Sequence, residues 1–167
     1  DEVTATLATF RPLPHRLEML GQWEGRTVVE DGMATTPEAA MAGLATFDGR
    51  PVTLFLGGSD KGADLTPIGP GVAAIRRDPT LILGLPDTGR LMGELVAAEQ
   101  NPHIQVRQAE NFADALRLAK ELTPVGGVIL LSPGAASFSE FANYRERSNM
   151  FRAAFGFGPA GREMDGR

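Results

Sequence analysis

The chain has 167 residues, 43% hydrophobic and 22% charged, which fits one globular domain and indicates neither intrinsic disorder nor a membrane span. Sixteen Lys and Arg against 21 Asp and Glu give a net charge of −5, a balance that disfavours attachment to nucleic acid through phosphate neutralisation. The absence of cysteine excludes disulfides, thiolate metal sites and cysteine nucleophiles.

The first dozen residues carry no consistent period, and Asp1–Thr6 has neither the basic start nor the apolar stretch of a signal peptide. Leu17–Trp23 followed by Glu24-Gly25 reads as a strand and turn, which with Thr27–Glu30 predicts an antiparallel hairpin. Thereafter short apolar runs alternate with segments of helical spacing. The runs Val52–Leu56, Leu81–Gly84, Ile104–Arg107 and Val128–Leu131 are expected strands, and Pro37–Phe47, Arg90–Gln100, Asn111–Leu122 and Arg145–Phe155 are expected helices. Alternation of this kind predicts an α/β, Rossmann-like open sheet, mostly parallel and twisted, with helices on both faces and one antiparallel edge hairpin. Val52–Leu56 and Val128–Leu131 are apolar throughout, as central strands covered on both faces should be. The longest aliphatic run, Val128–Leu131, is far short of the ~20 residues a bilayer-spanning helix needs. The tail Gly161–Arg167 is expected to fray.

Ligands of open α/β sheets bind beyond the carboxyl ends of the strands, so the loops there are the informative ones. Asp31–Pro37 contains Thr36-Pro37, which fits an N-cap followed by proline at the first helical position, and Thr35 with Glu38, which has the spacing of a capping box. The alternative is that Asp31 and a free threonine hydroxyl face a ligand. In Gly57–Asp64 two glycines allow close backbone approach and Lys61 offers a point charge for an anion, or is simply a solvated loop lysine. No Walker A spacing occurs anywhere, and Gly69–Ala74 matches G-x-G-x-x-A without the preceding strand that would give the match meaning. Leu85–Gly89 offers turn and helix-start chemistry only. Ser132–Phe141 leaves a central strand, and Ser137 with Glu140 again has capping-box spacing at an expected helix start, where backbone N–H groups suit a carboxylate. His15 and His103 lie too far apart in sequence for a histidine metal site, and His103 is expected at the surface. Spacing alone thus describes one lysine, several hydroxyls and two helix starts at a sheet edge, suited to a small dicarboxylate.

Five blocks in order, Leu13–Glu18, Glu30–Thr36, Gly57–Asp64, Leu131–Phe141 and Asn143–Arg147, resemble the C-terminal domain of the Mur ligases, and among them the glutamate-adding ligases of peptidoglycan synthesis. The resemblance implies residues 1–12 as the end of an upstream ATPase domain or linker, 13–158 as the glutamate-binding domain and 159–167 as a flexible tail, hence an excised third domain, inactive alone. It implies an ATP- and Mg2+-dependent, ADP-forming amide ligase, cytoplasmic and monomeric, with neither nucleic acid nor membrane as partner. In that chemistry the carboxylate of UDP-N-acetylmuramoyl-L-alanine is phosphorylated by ATP and the glutamate amine attacks the acyl phosphate. By motif position, Lys61 and Thr35 match residues that hold one glutamate carboxylate, and Ser137, Phe138 and Tyr144 those of the second. Arg16 and Asp31 match residues that touch ATP. No catalytic residue and no metal ligand is implied within this stretch.

Where the glutamate ligases read Asp-Ser-Lys-Ala-Thr-Asn, this chain has Asp31-Gly-Met-Ala-Thr-Thr36, so a serine and a lysine are lost. D-glutamate is the expected amino acid, with an L-glutamate-adding ligase as the alternative. Two rivals stand beside the family reading: a free-standing α/β module for a small anion, and a Mur-type ligase adding a diamino acid or extending a folyl chain.

Overall fold

A computed structural model describes residues 13–137 and 140–160. The six strands are β1 (Glu18–Trp23), β2 (Arg26–Glu30), β3 (Val52–Leu56), β4 (Thr80–Gly84), β5 (Ile104–Gln108) and β6 (Val128–Leu131), in the spatial order β1-β2-β6-β3-β4-β5. Only β1 and β2 pair antiparallel, as the hairpin reading expects; the other neighbours are parallel. The two runs read as central, β6 and β3, are adjacent in the middle of the sheet and buried along their whole length.

The helices of the described residues are α1 (Pro37–Ala45), α2 (Ile68–Ile75), α3 (Thr88–Ala98), α4 (Phe112–Leu122) and α5 (Tyr144–Ala154). One core lies between the sheet and α1, α2 and α3, where Leu44, Val72 and Met92 meet Leu54, Ile82 and Leu130. The other packs Phe112, Leu116 and Phe151 of α4 and α5 against Phe55, Leu83 and Ile129. Because side chains alternate along a strand, Leu54 and Leu56 face one layer and Phe55 the other. Each such aliphatic side chain removed from water contributes roughly 1.5–3 kcal/mol.

α2 is absent from the sequence expectation, which gives no element between Val52–Leu56 and Leu81–Gly84. Its glycines are spacers. A Cβ on Gly69 would lie 2.5 Å from the carbonyl oxygen of Leu95, and one on Gly71 would overlap the sulfur of Met41. Without side chains at these two positions α2 wedges between α1 and α3 and buries Ile68 and Val72, so packing overrides a poor helix propensity. The G-x-G-x-x-A match therefore lies inside a helix, not at a strand end. The expected ATPase-side segment at residues 1–12 and the tail at 161–167 fall outside the described residues.

Candidate functional site

The chain runs β2, β3, β4, β5 along one side of the sheet, covered by α1, α2 and α3, then returns through α4 to insert β6 between β2 and β3. The helices that follow β3 and β6 consequently pack on opposite faces. The strand order reverses there, and ligands of doubly wound sheets bind beyond the carboxyl edge at such a switch point.

Four backbone hydrogen bonds lace the loops at that edge together. Gly134 N–H donates to Ala34 O at 2.9 Å, Gly57 N–H to Pro133 O at 2.8 Å, Ser59 N–H to Ala136 O at 3.0 Å and Thr88 N–H to Gly58 O at 3.0 Å. Between them lies a pocket of about 220 Å³ lined by Thr35, Ser59, Lys61, Thr88, Ala135 and Ala136, among others. A larger cavity of about 440 Å³ opens at the opposite, amino-terminal edge, beside Thr53, Thr80, His103 and Gln105. Size favours the second cavity over the first, and a third of about 470 Å³ opens beside Asp87, Arg90, Glu94 and Glu110. The second lies at the amino-terminal edge and the third beside β4 and β5, both away from the switch point, so the smallest of the three is the candidate site.

Lys61 and Thr35, read from different loops, share this pocket and are both exposed. Among the described residues Lys61 makes no hydrogen bond or ion pair, leaving its ammonium group open to a ligand. Ser137 adjoins the same rim: its carbonyl accepts the Ser59 hydroxyl at 2.5 Å, two residues from Lys61. Phe138 lies outside the described residues. Tyr144 opens α5, half-buried, with its ring perpendicular to that of His15 at 5.3 Å between centroids.

Local folding differs from the spacing in three respects. The α1 cap is Thr36, whose Oγ1 accepts from Ala39 N–H at 3.3 Å, so the Thr35–Glu38 box does not form and the Thr35 hydroxyl is left free of capping duty. Ser137 caps no helix. The following helix begins only at Tyr144, capped by Asn143 with Glu146 N–H, while Glu140 accepts from Phe112 N–H at 3.1 Å at the start of α4. The amide-lined carboxylate site expected at a helix starting near Ser137 therefore has no helix start there among the described residues. Third, Gly57 and Gly58 approach protein rather than open space, since added Cβ atoms would overlap Gly89 and the Ala136 carbonyl.

Thr88 escaped the sequence reading, which gave its loop no role. Its hydroxyl donates to Gly58 O at 2.8 Å and accepts from Gly58 N–H at 3.0 Å, clamping the Lys61 loop to α3. A threonine two residues after a proline at a strand end was the only signal, and it reads equally well as turn chemistry.

Arg16 is exposed, and Asp31 is buried beneath it with both oxygens engaged. Leu17 N–H donates to Asp31 Oδ1 at 3.0 Å and the Ser132 hydroxyl to Oδ2 at 2.7 Å. Burial raises the Asp31 pKa above its ordinary value; the two hydrogen bonds and nearby Arg16 work against that rise and Glu30 adds to it. Among the described residues no three His, Cys, Asp or Glu side chains converge to hold a metal ion. No helix of the described residues is long and apolar enough to cross a membrane.

His15 is the second residue that spacing missed, because its partner is fifteen positions away. Buried under the rim, its Nδ1 lies 2.5 Å from Oε2 of Glu30, itself fully buried.

The sequence matches the family described as Mur ligase, glutamate ligase domain, over residues 15–134. It is 38% identical over 154 residues to a UDP-N-acetylmuramoyl-L-alanine–L-glutamate ligase from Micromonospora sp., covering 92% of this chain and 33% of that protein. It is 36% identical over 152 residues to a UDP-N-acetylmuramoylalanine–D-glutamate ligase from Aquifex aeolicus, covering 91% of this chain and 35% of that protein. The chain therefore spans about a third of the length of these curated relatives. In fold it is similar to a bifunctional folylpolyglutamate synthase/dihydrofolate synthase from Yersinia pestis, with a TM-score of 0.59 at 16% identity over 92% of this chain and 34% of that one. A murein peptide ligase from Psychrobacter arcticus gives a TM-score of 0.55 at 16% identity over 91% of this chain and 32% of that one. With a family match over most of its length and curated relatives above a third identical, this chain belongs to the Mur ligase family, in its glutamate ligase domain.

Proposed function

We propose that this chain is the amino-acid-binding domain of a cytoplasmic, ATP-dependent ligase that joins glutamate to UDP-N-acetylmuramoyl-L-alanine in peptidoglycan synthesis. The observation that carries the proposal is the unpaired Lys61 ammonium sharing a switch-point pocket with the free Thr35 hydroxyl. Lys61 and Thr35 hold one carboxylate of glutamate, and the stretch from Ser137 and Phe138 to Tyr144 receives the other. Arg16 is exposed to pair with ATP phosphate, and Asp31 serves ATP indirectly by fixing Leu17 and so the course of Arg16.

The chemistry asked of such a domain is positioning. ATP, held with Mg2+ mainly by parts of the ligase beyond this domain, converts the substrate carboxylate to an acyl phosphate. The glutamate amine attacks that carbon, and inorganic phosphate leaves from the tetrahedral intermediate. Holding the amine in register and neutralising two carboxylates supplies proximity and electrostatic stabilisation, not a proton relay.

L-glutamate is favoured as the amino acid by the Micromonospora relative and by Gly32 and Met33 where the glutamate ligases carry serine and lysine. D-glutamate, named for the Aquifex relative, is the second reading. Turnover by the whole ligase with each isomer decides between them: L-glutamate should give the higher kcat/KM, and a preference for the D form would reverse the choice. Absence of turnover with either isomer would overturn the glutamate ligase reading itself.

A further inference from the structure

Beneath the rim, a cluster of buried polar side chains grips one residue, Gly32, through the peptide groups on both sides of it. Glu30 Oε1 accepts from Gly32 N–H and from the Ser148 hydroxyl, both at 2.7 Å. On the other side of the same residue, Arg147 Nη2 donates to Gly32 O at 2.9 Å. The next amide, Met33 N–H, donates to His15 O at 3.1 Å, and His15 is bound through its ring to Glu30 and packed perpendicular to Tyr144. Glu30, Arg147 and Ser148 are fully buried. Three pieces of chain thereby meet at Gly32: the segment leading into β1, the loop that ends in Thr35, and α5, which begins with Tyr144.

The same geometry dictates the residue at position 32. A Cβ there would overlap the Ser148 hydroxyl and stand 2.5 Å from Glu30 Oε1. A side chain at 32 also needs Glu30 Oε1 to withdraw, and the Ser148 hydroxyl holds that oxygen where it is, so a side chain at 32 and a hydroxyl at 148 exclude each other. A serine at 32 would carry its own hydroxyl to where the Ser148 hydroxyl now lies, so the donor to Glu30 can come from the loop or from the helix, but not from both.

We propose that Glu30 and Ser148 are positioning residues of the amino-acid site: by fixing the Gly32 peptide they set Thr35 relative to Tyr144, and Ser148 is the reason position 32 is glycine. The inference rests on the glutamate-binding reading of Thr35 and Tyr144, and it concerns residues that touch no substrate. Its signature is reciprocal compensation between positions 32 and 148, felt in amino-acid affinity and not in ATP affinity.

The test uses the whole ligase carrying Gly32→Ser, Ser148→Ala, or Gly32→Ser together with Ser148→Gly. Gly32→Ser should raise the glutamate KM at least tenfold, with the ATP KM within twofold of wild type. The double variant should return the glutamate KM to within about threefold, and Ser148→Ala, which keeps the helix and loses the donor, should raise it severalfold. Backbone amide exchange supplies a readout that needs no substrate: the Gly32 and Met33 amides should exchange at least tenfold faster in Gly32→Ser and slow again in the double variant. Failure of Ser148→Gly to restore either quantity, or a parallel rise in both KM values, would overturn the inference. A wild-type ligase inactive with glutamate would overturn the functional reading instead, and amide exchange would still decide the coupling.

Discussion

Arg76 and Arg147 are both fully buried, at opposite edges of the same sheet, and they are treated differently. Arg76, which follows α2, donates through Nε to Thr80 Oγ1 at 2.7 Å, through Nη1 to Phe47 O at 3.1 Å and through Nη2 to Arg50 O at 2.5 Å. It stitches the amino-terminal ends of β3 and β4 to the chain leaving α1. Among the described residues Arg147, under the candidate site, makes one hydrogen bond, and its Nε and Nη1 have no partner. Burial lowers the Arg147 pKa to about 10 against the opposing charge of Glu30; it lowers that of Arg76 as well, where Asp78 and Asp48 oppose it. A saturated buried cation is a staple, whereas a half-satisfied one sits in an unfavourable environment that stability alone does not explain. The amino-terminal edge is built to hold, and the carboxyl-terminal edge keeps polar groups in reserve next to its pocket.

The sharpest way to break this contrast is to replace each arginine by an apolar side chain of similar length. Arg76→Met strands three acceptors and should cost about 3 kcal/mol, seen as a fall in Tm of roughly 6–12 °C for a domain of this size. Kinetic constants of the folded ligase should stay at wild-type values. Arg147→Met removes a poorly solvated charge that holds one carbonyl and should change stability by no more than about 1 kcal/mol, while the glutamate KM rises severalfold. Equal melting losses in the two variants would erase the distinction.

Lys61→Ala probes the reserve from the pocket side. A charge-assisted contact is worth roughly 1.5–3 kcal/mol, so kcat/KM for glutamate should fall about ten- to a hundredfold. As the side chain is exposed and unpaired, denaturant melts should be unchanged, and unchanged kinetics would remove Lys61 from the site.

The smallest expected effect belongs to Asp31, whose folded-state pKa is raised above the ordinary 3.8. Between 3.8 and that raised value the folded state binds more protons than the unfolded, so stability declines as pH rises through this window. Asp31→Asn should flatten that decline by a fraction of a kcal/mol. Urea melts at a series of pH values just above 4 would detect it, and a slope identical to wild type would contradict it.

The sheet was legible because its signals are local. Val128–Leu131 and Val52–Leu56 are apolar on both faces, and Glu24-Gly25 turns a hairpin. The pocket was half legible for the same reason: Lys61 follows a strand, and Thr35 precedes a proline-started helix. What the sequence hid depends on contacts between distant positions. α2 forms because Gly69 and Gly71 let two other helices close on it, and no propensity reports that. The capping-box spacing of Ser137 and Glu140 misled because Glu140 serves the start of α4, twenty-eight residues away. His15, Glu30 and Ser148 each look ordinary alone; their chemistry appears only where three segments meet.

The central claim is that the carboxyl edge of the sheet, and not the larger cavity at the other edge, receives the amino acid. A crystal structure of the whole ligase with bound glutamate tests it most directly. The account predicts a glutamate carboxylate within about 3 Å of Lys61 Nζ, with the Thr35 hydroxyl on the same group. Glutamate seated beside His103 and Gln105 at the amino-terminal edge, with Lys61 still unpaired, would contradict it.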